Sequence, residues 1–218
     1  MYIRNEMKVE THPFEPFLPP NAKILMLGSF PPPAIRWSMV FYYPNFTNDM
    51  WRIFGLVFFG DRDHFVEKVP PGMKARRFDK EKILDFCSTA GIAMYDTACK
   101  VLRLKDNASD KFLEVAESSD IEGLLTKIPD CSAIITTGEK ATEVIAGRFG
   151  CEKPAVGEFT EFSITDADGN SRRMKLFRLP SSSRAYPLAL EKKAGAYREM
   201  FIRTGLLGDP QESGPSAL

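Results

Sequence analysis

Apolar positions along the chain alternate between two patterns. At 23–28 (KILMLG), 91–96 (GIAMYD) and 132–138 (SAIITTG), short apolar runs end in turn or polar residues, the signature of strands covered on both faces in a parallel sheet. Between these runs the spacing becomes helical. From Asn48, residues Trp51, Phe54 and Phe58 mark one helical face, with Thr47 or Asn48 available as N-cap and Gly60 as terminator. Further helices are predicted over 79–90, 120–128, 139–149 and 188–204. Two runs, 159–166 and 172–179, flank DADGNS, whose Asp168-Gly169 pair signals a hairpin. Helices alternating with apolar strands predict an α/β fold: a three-layer α/β/α sandwich around a central, mainly parallel sheet.

The polar segments refine this picture. Residues 1–22 carry His12-Pro13, Pro16 and Pro19-Pro20 and read as an arm laid over the domain. Pro31 to Pro33 remove backbone donors and fix φ, so the first strand runs into a stiff loop, GSFPPP. Ser181-Ser182-Ser183-Arg184 forms a second polar loop after the last core strand. Ligands of open α/β sheets bind at the carboxyl ends of strands, so neighbouring or near-neighbouring first and last strands would place GSFPPP and LPSSSRAY on one cleft. Residues 61–82 form a basic insertion, and 106–122 is an acidic stretch expected to face solvent. The insertion is open to two uses, a solvated loop or a phosphate contact. One domain is expected over 1–207, with a tail over 208–218 that has the composition of disorder.

Composition removes several classes of function. Lys plus Arg equals Asp plus Glu at 29 each, so only local patches could favour an anionic partner. The four cysteines lie far apart without a CxxC pair, which argues against a zinc ribbon or a local iron–sulfur cluster and for reduced thiols. Only His12 and His64 could supply imidazole, so a multi-histidine metal site is excluded. The N-terminal residues lack the apolar core of a signal peptide, and no apolar run has membrane-spanning length. A cytoplasmic monomer without metal or cofactor is expected.

Three motifs in order, GSFPPP, FYYPNFTNDMW and LPSSSRAYP before a helix bearing Lys192 and Tyr197, resemble the uracil-DNA glycosylase superfamily across about residues 23–204. The spacing is most similar to the hypoxanthine-DNA glycosylase branch, with the mismatch-specific uracil-DNA glycosylases next. This resemblance implies a monofunctional base-excision repair enzyme that flips a deaminated base, hypoxanthine or uracil, out of DNA and hydrolyses its N-glycosidic bond with water. A damaged or mismatched base is the least costly to flip, which is part of target selection.

The resemblance also implies roles. In most branches the position of Phe30 holds an Asp, Asn or Glu that handles the water, and Phe30 has no proton acceptor. The hypoxanthine branch is thought to use instead an Asn just before the Trp helix, and Asn48 matches it. Read from its own surroundings, Asn48 is open to two compatible uses, helix capping and orientation of a water by its amide oxygen. Gly28, Ser29, Phe30, Tyr42 and Tyr43 are the candidate base-binding residues, through the Ser29 and Phe30 amides and an aromatic wall that could include Phe41, with core packing the alternative use of these rings. Ser181, Ser182 and Ser183 are candidates for phosphate contacts or simple capping at a helix N-terminus. Arg184 and Tyr186 stand where the superfamily inserts a wedge into the duplex, with Arg184 replacing a usual Gly or Pro. Asp96, at a commonly acidic position of the branch, reads as a solvent-oriented structural carboxylate at a sheet edge.

Two rivals remain. A catalytically silent DNA-binding or base-binding module of the same fold is motivated by Phe30. A serine esterase using Ser181 to Ser183 with His64 lacks the GxSxG elbow.

Overall fold

The computed structural model describes residues 9–74, 76–104, 113–165 and 169–208. In chain order the elements are β1 (Val9–Thr11), β2 (Ile24–Gly28), α1 (Met50–Phe59), α2 (Lys80–Ala90), β3 (Ile92–Asp96), β4 (Ala98–Arg103) and β5 (Leu113–Ser118). There follow α3 (Ile121–Thr126), β6 (Ala133–Thr136), α4 (Glu139–Phe149), β7 (Phe159–Thr165), β8 (Ser171–Arg178) and α5 (Leu190–Arg203). A short 3₁₀ turn, Ala34–Arg36, precedes α1.

The central sheet has the order β3-β2-β6-β8-β7, with four parallel strands and β7 antiparallel at one edge. Successive residues of each strand feed opposite layers. Ile24 and Met26 of β2 pack with α1, α2 and α5, whereas Leu25 and Leu27 pack with α3 and α4. The result is the predicted three-layer α/β/α sandwich. The chain leaves β2 toward β3 on one side and later places β6 on the other, so the strand order reverses between β2 and β6. Their carboxyl ends frame a topological switch point, where crevices of such sheets form.

Most boundaries agree with the apolar pattern. Glycines end the first helices: Gly60 and Gly91 adopt left-handed conformations with φ of 66° and 71°. Three features differ from the sequence reading. A second sheet, β1-β4-β5, is antiparallel and was not predicted, because ACKVLR and LEVAES mix charged and apolar positions too closely to stand out. Part of the acidic stretch therefore lies in β5, while 106–112 falls outside the described residues. The N-terminal arm is more than a cover: β1 pairs with β4, and Phe17 exchanges backbone hydrogen bonds with Met94 at 3.0 and 2.9 Å. Finally, α5 begins at Leu190, after a turn closed by Leu188 N–H donating to the Tyr186 carbonyl, and not at 188. Residues 166–168 of the hairpin turn and 209–218 of the tail lie outside the described residues.

The basic insertion is anchored from within. Phe65 and Phe78 are buried, an isolated bridge joins Val66 to Phe78, and Arg77 pairs with Glu67 at 2.8 Å.

Candidate active site

A cleft of about 740 Å³ opens at the switch point. Its walls come from the loop after β2, the segment before α1, the β6–α4 junction at Thr137 and Gly138, and the loop after β8. Eleven of the residues singled out from the sequence line it: Gly28, Ser29, Phe30, Tyr42, Tyr43, Asn48, Ser181, Ser182, Ser183, Arg184 and Tyr186. Because β2 and β8 are separated only by β6, the two polar loops converge there.

Asn48 sits at the entry to α1 and is partly exposed to the cleft. Its Oδ1 accepts the Met50 N–H at 2.9 Å, so the carboxamide does satisfy the helix start while facing the cleft. The helix cap position itself falls on Asp49, one residue later than expected. A carbonyl oxygen has two lone pairs, so this bond holds the amide and leaves the oxygen one further acceptor position.

Asp49 is the anchor that the sequence reading missed. It is buried, and its two carboxylate oxygens meet Arg184 Nε at 3.0 Å and Lys193 Nζ at 3.1 Å. Lys193 is 1% exposed and also donates to the Ser183 carbonyl at 2.8 Å, while the Asp49 N–H donates to the Ser182 carbonyl at 2.9 Å. These bonds clamp the start of α1, with Asn48, onto the serine loop. A signal was present: Lys193 shares the apolar face of α5 with Ala194, Tyr197, Met200 and Phe201, and a lysine at such a position requires a buried partner.

The serines are placed differently from the expectation. They lie well before Leu190, so they do not cap α5, the helix that follows them. Ser182 is buried, the Ser181 hydroxyl oxygen accepts the Ser183 N–H, and the Ser183 hydroxyl oxygen accepts the Ala185 N–H, both at 3.2 Å. Both hydroxyl protons remain available for donation toward the cleft.

At the floor, Asp96 overturns its reading as a solvent-oriented carboxylate. It is buried, and its Oδ2 meets His12 Nε2 at 2.9 Å, with the histidine side chain 2% exposed. Asp96 is the register partner of Gly28, and a Cβ at Gly28 would lie 2.4 Å from Asp96 Oδ1. The carboxylate thus occupies the space that any other residue at 28 would fill. His12 is held in turn by Nδ1, at 2.8 Å from the Phe14 carbonyl oxygen. Long sequence separation and an apparent surface arm concealed this pair.

The aromatic residues divide between wall and core. Tyr43 holds φ at 49°, an uncommon conformation for a bulky residue, and its hydroxyl meets Thr137 Oγ1 at 3.1 Å across the switch point. Tyr42 is 3% exposed and donates to the Glu15 carbonyl; burial, helped by Asp96, raises its pKa above the ordinary phenol value. Phe30 touches the cleft but packs mainly on Ala98, Val101 and Leu113 of the small sheet. Phe41 belongs to the core, against Phe17 and Trp51.

Among the described residues no group of three or more His, Cys, Asp or Glu side chains is placed to hold a metal ion. No helix there is long and apolar enough to cross a membrane. All four cysteines are free thiols, and His64, stacked on Phe59, does not line the serine cleft.

No protein-family model matches the chain, and no curated protein matches it. Among solved structures, the chain is similar to a solution NMR structure described as "a putative Uracil DNA glycosylase" from Methanosarcina acetivorans, with a TM-score of 0.58 at 22% identity. The match covers 91% of this chain and 99% of that one, so the two share a fold over nearly their whole lengths.

Proposed function

We propose that this chain is a DNA glycosylase of the uracil-DNA glycosylase superfamily, hydrolysing the N-glycosidic bond of a deaminated base, hypoxanthine or uracil, in DNA. The observation that carries this reading is the placement of Asn48, fixed through Met50 and facing a cleft built from the two loops that the motif order singles out. A shared fold with the chain described as "a putative Uracil DNA glycosylase" supports it.

A carboxamide does not deprotonate water at neutral pH. It orients one, which suffices when bond breaking runs ahead and the sugar takes on oxocarbenium character before water adds. The Ser29 and Phe30 amides are the candidates for the departing base's carbonyl, Tyr43 for its stacking wall, and the Ser181 and Ser183 hydroxyls with Arg184 for the flanking phosphates.

The test is incubation of purified protein with duplexes containing deoxyinosine or deoxyuridine, followed by alkaline cleavage. Strand breaks are expected at the lesion, with Asn48→Ala slowed by about two to four orders of magnitude. Excision no greater than that of Asn48→Ala rejects catalysis. Phe30 favours a second reading, a base-binding module without turnover, since that position supplies no proton acceptor and its ring is committed to the small sheet. Lesion-DNA binding with no strand breaks would select it.

A further inference from the structure

Base flipping leaves a hole in the duplex, and proteins that open a base step commonly fill it with an apolar side chain. The resemblance placed this wedge at Arg184 and Tyr186; Arg184 is tied to Asp49 at 3.0 Å, and Tyr186 is half-buried in the turn between Ser183 and Leu188. The proline loop after β2 offers another candidate, one residue from Arg36 of the cleft lining. Ile35 is 95% exposed, more than any other large apolar side chain among the described residues.

A single exposed isoleucine is ordinary on a protein surface. What distinguishes this one is its mounting. It is the central residue of the 3₁₀ turn Ala34–Arg36, which is closed by Arg36 N–H to the Pro33 carbonyl at 2.9 Å and Trp37 N–H to the Ala34 carbonyl at 3.0 Å. Trp37 Nε1 donates to the Pro32 carbonyl at 2.7 Å, and its ring packs against Phe14 at 4.9 Å. Arg103, paired with Glu10 at 2.9 Å, donates to the Pro31 carbonyl at 3.1 Å from the small sheet. Three prolines and this bracing hold the turn still, so an apolar tip projects with little conformational freedom to lose on binding. Arg36, the next residue, and Pro31 and Pro32 earlier in the same loop line the cleft, and the exposed Arg36 guanidinium suits a phosphate beside the opened step.

We propose that Ile35 is the wedge of this protein: a braced aliphatic tip that enters the base stack beside the flipped nucleotide while Arg36 contacts the adjoining phosphate. The inference rests on the glycosylase reading. It makes Ile35 a positioning residue that acts on duplex DNA, where stacking must be broken, more than on single strands.

The test compares the full-length protein with Ile35→Ala and Ile35→Leu on one lesion placed in duplex and in single-stranded oligonucleotides, under single-turnover conditions. A 2-aminopurine next to the lesion reports unstacking in parallel. For Ile35→Ala the ratio of duplex to single-strand excision rates is expected to fall about tenfold or more, with the unstacking signal lost, whereas Ile35→Leu keeps both. A duplex to single-strand ratio equal to that of the wild type overturns the wedge while leaving the glycosylase reading intact. Wild-type protein that excises neither substrate overturns the glycosylase reading instead. In that case the fluorescence still decides the wedge: equal signals from wild type and Ile35→Ala sink it.

Discussion

Replacing Lys193 by Met removes an ammonium and keeps most of the apolar stem. Two bonds disappear, 3.1 Å to Asp49 and 2.8 Å to the Ser183 carbonyl, in a place where the lysine is 1% exposed. Removing one partner of a buried ion pair typically costs about 3–5 kcal/mol, because a charge is left behind. Asp49 keeps Arg184 at 3.0 Å, but that side chain is 49% exposed and solvent-screened, so it offsets only part of the loss. The expected destabilisation is about 3 kcal/mol, or a fall in Tm of roughly 10 °C for a chain of this size. Urea unfolding followed by the fluorescence of the buried Trp51 measures it. Adding Asp49→Asn to Lys193→Met removes the stranded charge and should recover about 1–2 kcal/mol. A loss below about 1 kcal/mol, the level of an exposed pair, would refute the argument, as would additive losses in the double variant.

Two further outcomes follow from the cleft floor and the core. Gly28→Ala drives a Cβ to within 2.4 Å of Asp96 Oδ1, whose carboxylate is held by His12 and cannot easily turn away. A loss of roughly 1–3 kcal/mol in thermal melts is expected, smaller when Asp96→Ala is combined with it, and an undiminished melting temperature would count against the packing described. Burial pushes the Cys131 thiol up to about 11 and the Cys87 thiol well above its ordinary value, so neither supplies thiolate at neutral pH. Iodoacetamide followed by mass spectrometry should modify Cys99 and Cys151 first and the buried pair only after urea; prompt labelling of Cys87 or Cys131 in the native protein contradicts their burial.

Strands β2, β3 and β6 were legible as continuous apolar runs, β7 and β8 as the arms flanking the Asp168-Gly169 signal, and the first helices because glycines stop them at Gly60 and Gly91. The cleft was legible from two loops rich in residues that cannot continue a strand. What the sequence concealed shares one physical cause: polar contacts between side chains far apart in the chain. Asp49 with Lys193 spans 144 positions and His12 with Asp96 spans 84, and neither residue type nor local periodicity announces such a partner. The small sheet was missed for a related reason, since its strands alternate charged and apolar residues on a half-exposed surface. Asn48 was ambiguous between cap and cleft, and the residue does both: its amide oxygen accepts from Met50 N–H and the residue lines the cleft.

The distribution of charge around the cleft bears on how DNA would be held. Its lining contains only three formally charged side chains, Arg36 and Arg184 on different loops and Asp96 at the floor. Asp96 contacts His12 and Arg184 is shared with Asp49, so the lining carries no concentrated positive patch. With 29 basic and 29 acidic residues, the whole chain adds no long-range attraction for a polyanion. A cleft lined this way offers few charges of its own for counterion release. On the glycosylase reading the binding energy must come from contacts made only after a base leaves the stack: the Tyr43 wall, the loop amides at Ser29 and Phe30, and an apolar tip such as Ile35 filling the vacated step. Such an arrangement discriminates through the ease of flipping, so bases already weakened in their pairing are favoured over intact duplex.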